Sequence, residues 1–200
     1  MNNRLLLSVL LISSLLFAPS ALLAESYLSG TISAESSGGN ELGAWKYTLH
    51  VVWDTGTLFG LSHVDLIIDD GTHCECDELG DAIAWDTPAG YLMGEEGDCQ
   101  MGLDKELNCM GDPSIGVLSP LFKFEPNEGP DCHAGPVGEL TIIFFSDYSP
   151  APIADPNLFL VDKYSQYSEF GMVTGFFPGL PCDPVSSKTL HWGGLKAVYR

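Results

Sequence analysis

The chain has 200 residues, of which 27 are acidic and only 8 are lysine or arginine, for a formal net charge of −19. Such a surface repels phosphate backbones and anionic membranes, which excludes nucleic acid as a natural partner. With 45% hydrophobic and 10% aromatic residues the chain can still fill a core, so its charge does not imply disorder.

The N-terminus reads as an export signal. Asn2, Asn3 and Arg4 make a short polar, basic start, residues 5–18 form an apolar run broken only by serines, and Pro19 and Ser20 lead to small residues with a cut expected after Ala24. The run is too short for a good membrane span, and no later stretch approaches one, so no span is expected once the signal is removed. Residues 25–200 are enough for one domain with its own core. The expected location is secreted, extracellular or periplasmic, on the cell surface or free of it.

Beyond the signal, helical periodicity is nearly absent. Residues 27–33 predict a first strand and 36–42 a glycine- and serine-rich turn. Residues 45–53 carry the clearest alternation, with Trp45, Tyr47, Leu49, Val51 and Trp53 on one face and Lys46, Thr48 and His50 on the other. Residues 61–69 predict a further strand with Val64, Leu66 and Ile68 on the core face. From Asp69 to Asp112 the pattern loosens: 13 acids accompany a single lysine, Lys105, and only residues 82–87 read as a strand. This stretch is expected to be a long acidic, cysteine-rich insertion. Strand signals resume at 115–118, 121–125, 139–146, 158–163, 171–177 and 190–200, with Pro150, Pro152 and Pro156 stiffening one connection. Eight to ten short strands at this spacing predict an all-β, antiparallel sandwich or barrel.

Six cysteines follow the signal: Cys74, Cys76, Cys99, Cys109, Cys132 and Cys182. An oxidising compartment favours disulfides for all of them. The pairing taken here joins Cys99 to Cys109, and Cys182 to Cys74 or Cys76. A competing reading makes His73, Cys74 and Cys76, with Cys132 and His133, a thiolate-imidazole metal site, but the paired CxxC spacing of structural zinc sites is missing.

Three segments together resemble uncharacterised exported β-sandwich proteins of bacterial cell surfaces. These are WKYTLHVVWDTGTLFGLSHVDLIID at 45–69, LFKFE at 121–125, and LFLVDKYSQYSEFGMVTGFFPGLPC at 158–182, a strand ending in lysine and then a glycine-proline-cysteine turn. The closing HWGGLKAVYR is similar to the ends of such chains. The resemblance implies a single immunoglobulin-like sandwich and an exported location, and it brings no catalytic residues.

Candidate chemistry is sparse. The acidic stretch offers Asp69, Asp70, Asp77 and Asp81 as calcium ligands, since calcium takes six to eight oxygens, although no EF-hand spacing is present. Calcium is the cofactor this stretch could hold. Gly60-Leu61-Ser62-His63-Val64 is a near miss to a nucleophile elbow: Val64 replaces the final glycine and a strand follows instead of a helix. Trp85, beside Asp86, is the surface candidate for stacking on a sugar, whereas Trp45 and Trp53 belong to the core face. The chain is therefore read as a non-catalytic structural or interaction module with an exterior protein or glycan as partner. The alternative is a calcium-dependent carbohydrate-binding module, and the third reading is a secreted hydrolase. Thiol titration of the denatured, unreduced protein should find no free thiol, and two or more per chain would overturn the three-disulfide framework.

Overall fold

The computed structural model describes residues 26–68, 75–95, 97, 99–153 and 158–180. Ten strands and one helix are present among them. In chain order they are β1 (Tyr27–Ser36), β2 (Trp45–Asp54), β3 (His63–Ile67), α1 (Cys76–Ala82), β4 (Ala84–Met93), β5 (Gln100–Asn108), β6 (Leu121–Pro126), β7 (Val137–Ser146), β8 (Pro150–Pro152), β9 (Phe159–Tyr164) and β10 (Tyr167–Pro178). The expected strand at 190–200 lies outside the described residues. No helix among the described residues is long and apolar enough to cross a membrane.

The all-β class holds, but the strands do not form two facing sheets. They make one sheet in the order β1-β2-β7-β4-β5-β6-β3-β9-β10-β8, and β1 also pairs with β10. Nine strands thus close into a barrel, which replaces the expected immunoglobulin-like sandwich. Every join in the ring is antiparallel except β1–β10, which is parallel, with Ser29 opposite Met172 and Ile32 opposite Gly175. Glycine makes this seam possible. A side chain at Gly175, which has a φ of +107°, would strike the Ile32 carbonyl oxygen, and one at Gly171 would strike that of Leu28.

Alternation sets what lies inside. Tyr47, Leu49, Val51 and Trp53 of β2 are wholly buried, as the sequence predicts, and Trp45 packs partly against the same core. Val64, Leu66 and Ile68 join them, with Phe122, Phe124, Ile142, Phe144, Leu160 and Phe177 from the other walls. Tyr47 stacks on Phe144 at 5.0 Å between ring centroids. Its hydroxyl donates to the Tyr148 carbonyl at 2.8 Å, which satisfies the polar end of a buried ring.

Where the sequence leads one to expect an acidic insertion between 69 and 112, the described residues supply α1 and two wall strands, β4 and β5. Their alternation is hard to see because β4 carries a bulge between Trp85 and Gly90, and β5 exposes Asp104, Lys105 and Glu106 in succession. The helix begins with a capping box in which Glu75 and Glu78 satisfy each other's backbone amides, and it turns Leu79 into the core.

The disulfides also differ from expectation. Cys76 bonds Cys109 and Cys99 bonds Cys132, while Cys74 and Cys182 lie outside the described residues. Cys99 cannot take Cys109 because the two lie at opposite ends of β5, nine residues of extended chain apart. The bonded pairs fit an oxidising compartment.

Strand order dictates where the connections run. The β2–β3 connection (55–62) and the β6–β7 connection (127–136) both cross the same end of the barrel, because each joins strands that are not neighbours. They bond to each other there: Thr55 N donates to the Pro136 carbonyl at 2.9 Å and Leu61 N to that of Gly135 at 3.2 Å. The Trp53 indole NH donates to the same Gly135 carbonyl from inside the barrel. A Leu49→Ala change should cost about 2–5 kcal/mol, measured by denaturant unfolding. Lys46, paired with Glu35 at the surface, should cost under ~1 kcal/mol on change to alanine. Similar losses at both positions would mean that the inner and outer faces of β2 are misassigned.

Candidate functional site

Where the two crossing connections meet, they line a pocket of about 500 Å³ with Gly60, Leu61, Ser62, Glu125, Pro126, Glu128, His133 and Ala134. Gly60 is required for the close approach, since a side chain there would strike the Ala134 carbonyl oxygen. The Glu128 carboxylate holds the far wall in shape. One oxygen accepts from Ala134 N at 2.9 Å and the other lies 3.4 Å from His133 Nδ1. Cys132, next in chain to His133, is anchored to the β4–β5 hairpin through Cys99. The pocket is thus a braced, acidic rim.

From the rim a line of polar side chains continues onto the outside of the barrel wall. Glu125 pairs with Lys123 at 2.6 Å, and the Lys123 amine lies 3.8 Å from Asp112 Oδ2. That oxygen is 3.3 Å from His63 Nε2, and the same nitrogen is 3.5 Å from Asp65 Oδ2. His63 and Asp65 occupy alternate positions of β3, on the face opposite Val64 and Leu66. That face faces outward, yet all five residues of β3 are buried.

The cover is the β5–β6 connection (109–120). Ile115 and Val117 pack with Ile67, Leu121 and Val161 in a second small core outside the barrel. Lys163 of β9 donates to the Ser114 carbonyl at 3.3 Å and ties the loop down. Asp112 organises the turn: its carbonyl accepts from Val117 N, and its Oδ1 accepts from Ser114 N at 2.7 Å. Its Oδ2 is left to face His63 and Lys123.

The two carboxylates end up shifted in opposite directions. Burial pushes the Asp65 carboxyl up, against the pull of His63. Burial would raise Asp112 as well, but the hydrogen bonds from Ser114, with His63 and Lys123 behind them, hold it below the usual range. Neither Asp65 oxygen and no ring nitrogen at the His63 Nε2 position has a hydrogen-bond partner among the described residues. Through the wall, Asp162 sits inside the barrel beside Val64, wholly buried, with Oδ1 accepting from Glu169 N at 2.9 Å.

The residues singled out from sequence fall elsewhere. Asp77 and Asp81 are exposed one turn apart on α1, at the opposite end of the barrel from the pocket, and Asp69 and Asp70 lie outside the described residues. Cys76 and Cys132 are in disulfides, so the thiolate metal reading does not hold for them. Trp85 is half-buried against Phe122, Phe124 and Phe144, and the Lys105 amine lies 5.7 Å above its ring. Ser62 lines the rim pocket and His63 faces the covered wall, as their adjacency in an extended segment requires. Sequence reading passed over His63, Asp65 and Asp112 as a group. The one available signal was the alternation of His63 and Asp65 opposite Val64 and Leu66, which reads equally as an ordinary wet face.

No family model and no curated protein matches the chain. Fold and site define it as a closed β-barrel stapled by disulfides, with an acidic rim and a buried polar cluster under one loop.

Burial pushes the Asp162 carboxyl up to about 7, while the Glu169 amide pulls it down. In the unfolded chain the same group ionises from its ordinary value of 3.8. As pH rises, the unfolded state therefore loses its proton first, and this group's contribution to stability is lost between those two values. An Asp162→Asn protein cannot ionise there and keeps the acceptor for Glu169. Its stability relative to the parent should rise between acidic and mildly alkaline pH, read by thermal unfolding. An unchanged difference across that window would show that Asp162 is not held protonated.

Proposed function

We propose that this protein is a secreted or surface-displayed, non-catalytic interaction module that receives a cationic segment of an exterior partner at its acidic rim. The observation that carries this reading is the rim pocket itself, with Glu125 and Glu128 in its lining and a chain charge of −19 around it. Its walls are braced by a disulfide and by backbone hydrogen bonds, so the surface is ordered before a partner arrives, which lowers the entropic cost of association. The side chains there act as props: Glu128 holds the loop, Glu125 holds Lys123, and Ser62 makes no side-chain hydrogen bond to His133 among the described residues. A hydrolase would need that serine–histidine contact. Carbohydrate stacking at Trp85 draws less support, because core rings and Lys105 occupy the surroundings of the indole.

An oligolysine peptide should bind the intact protein with an affinity that falls as salt rises, followed by fluorescence anisotropy. Glu125→Gln should weaken binding at least ~3-fold, while Asp77→Asn, which removes an equal charge at the far end, should leave it unchanged. Equal effects of the two changes would mean that only net charge attracts the peptide and that the rim is not its site.

A further inference from the structure

Under the 109–120 loop, one nitrogen and two carboxylates converge at ion-pair distance without the hydrogen bonds that buried polar atoms need. His63 Nε2 stands 3.3 Å from Asp112 Oδ2 and 3.5 Å from Asp65 Oδ2. A hydrogen bond in this place would be shorter, about 2.7–3.2 Å, and aligned. Instead His63 Nε2 and both oxygens of Asp65 are fully buried with no hydrogen-bond partner among the described residues. Leaving a buried carboxylate without a hydrogen bond is strongly disfavoured. Something of opposite charge belongs among these atoms.

We propose that His63, Asp65 and Asp112 bind a divalent transition-metal ion of the zinc class. The three side chains can each present one donor atom, all within 4.8 Å of one another. Donors about 2.0–2.2 Å from a shared tetrahedral ion lie about 3.3–3.6 Å apart, which is the spacing seen at His63. One imidazole and two carboxylates suit zinc or its neighbours better than calcium, which prefers six or more oxygens. Two negative charges and a neutral imidazole balance a dication, so the buried site ends electrically neutral. Lys123 does not compete for the place: its amine is 3.8 Å from Asp112 but 2.6 Å from Glu125, and it keeps that partner when the ion binds. The Ser114 amide already holds the other oxygen of Asp112, which fixes the carboxylate's orientation as an outer partner does in metal sites. Because Asp112 comes from the loop and the other two donors from the wall, the ion would clamp the loop to β3.

The test uses the oxidised protein, stripped with chelator, loaded with zinc and desalted. One equivalent of zinc should remain, and cobalt in its place should give visible absorption of a low-symmetry site. Asp112→Asn keeps the acceptor for Ser114 and should still fold, which circular dichroism checks. It should weaken zinc binding at least tenfold, and Asp65→Asn should do the same. An Asp77→Asn, Asp81→Asn protein should bind zinc as the parent does. Retention below a tenth of an equivalent, retention unaltered in both Asp112→Asn and Asp65→Asn, or displacement of zinc by an equal concentration of calcium would each overturn the proposal.

Discussion

A ring of nine strands cannot alternate in direction all the way round. Eight joins can be antiparallel, and the ninth is forced to be parallel; here that join is β1–β10. Without it the sheet would be an open ribbon with unpaired edges on β1 and β10, and its inner face would be wet. The seam is therefore the constraint on which the core depends, and it explains a concentration of glycine that composition alone does not. Gly30, Gly171 and Gly175 all lie along it, and a side chain at Gly30 would come within 2.6 Å of Leu160. The backbones approach closely there because nothing projects between them.

The order of strands around the ring then produces the site. Since β2 is not next to β3, and β6 is not next to β7, their connections must cross an end of the barrel. Two crossings at one end make a floor, and the space between them makes the rim pocket. The α1 crossing closes the other end with Leu79. Among the described residues each end is fixed by one disulfide, and each bridge spans 33 positions. Bridges over loops of that size typically stabilise by ~3–4 kcal/mol, mainly by restricting the unfolded chain.

Much of the wall was legible in the sequence. The run from Trp45 to Asp54 announces its inner face because alternation is strict and the residues are large, and Val64, Leu66 and Ile68 do the same. The sequence reading failed where a strand's pattern is set by something distant. The outward face of β3 carries His63 and Asp65, which look solvent-exposed until Asp112, in a loop nearly fifty positions on, is brought over them. The strands β4 and β5 hide behind a bulge and a run of exposed charge. Cysteine pairing was beyond local reading as well, because it follows from which ends of β5 the two partners occupy. The closure itself cannot be read from periodicity, which is the same in a sandwich and in a barrel.

The two hydroxyls that meet across the seam, those of Thr31 and Thr174, are 3.5 Å apart in space and 143 positions apart in the chain. Hairpins such as β1–β2 and β9–β10 can form as soon as their own residues are present, but the ring waits for both its first strand and its last. Contacts of such range make for slow folding. They also make the chain intolerant of shortening: a copy cut before β10 keeps most of its strands yet exposes two rows of unsatisfied amides and carbonyls, the surface by which one incomplete sheet recruits another.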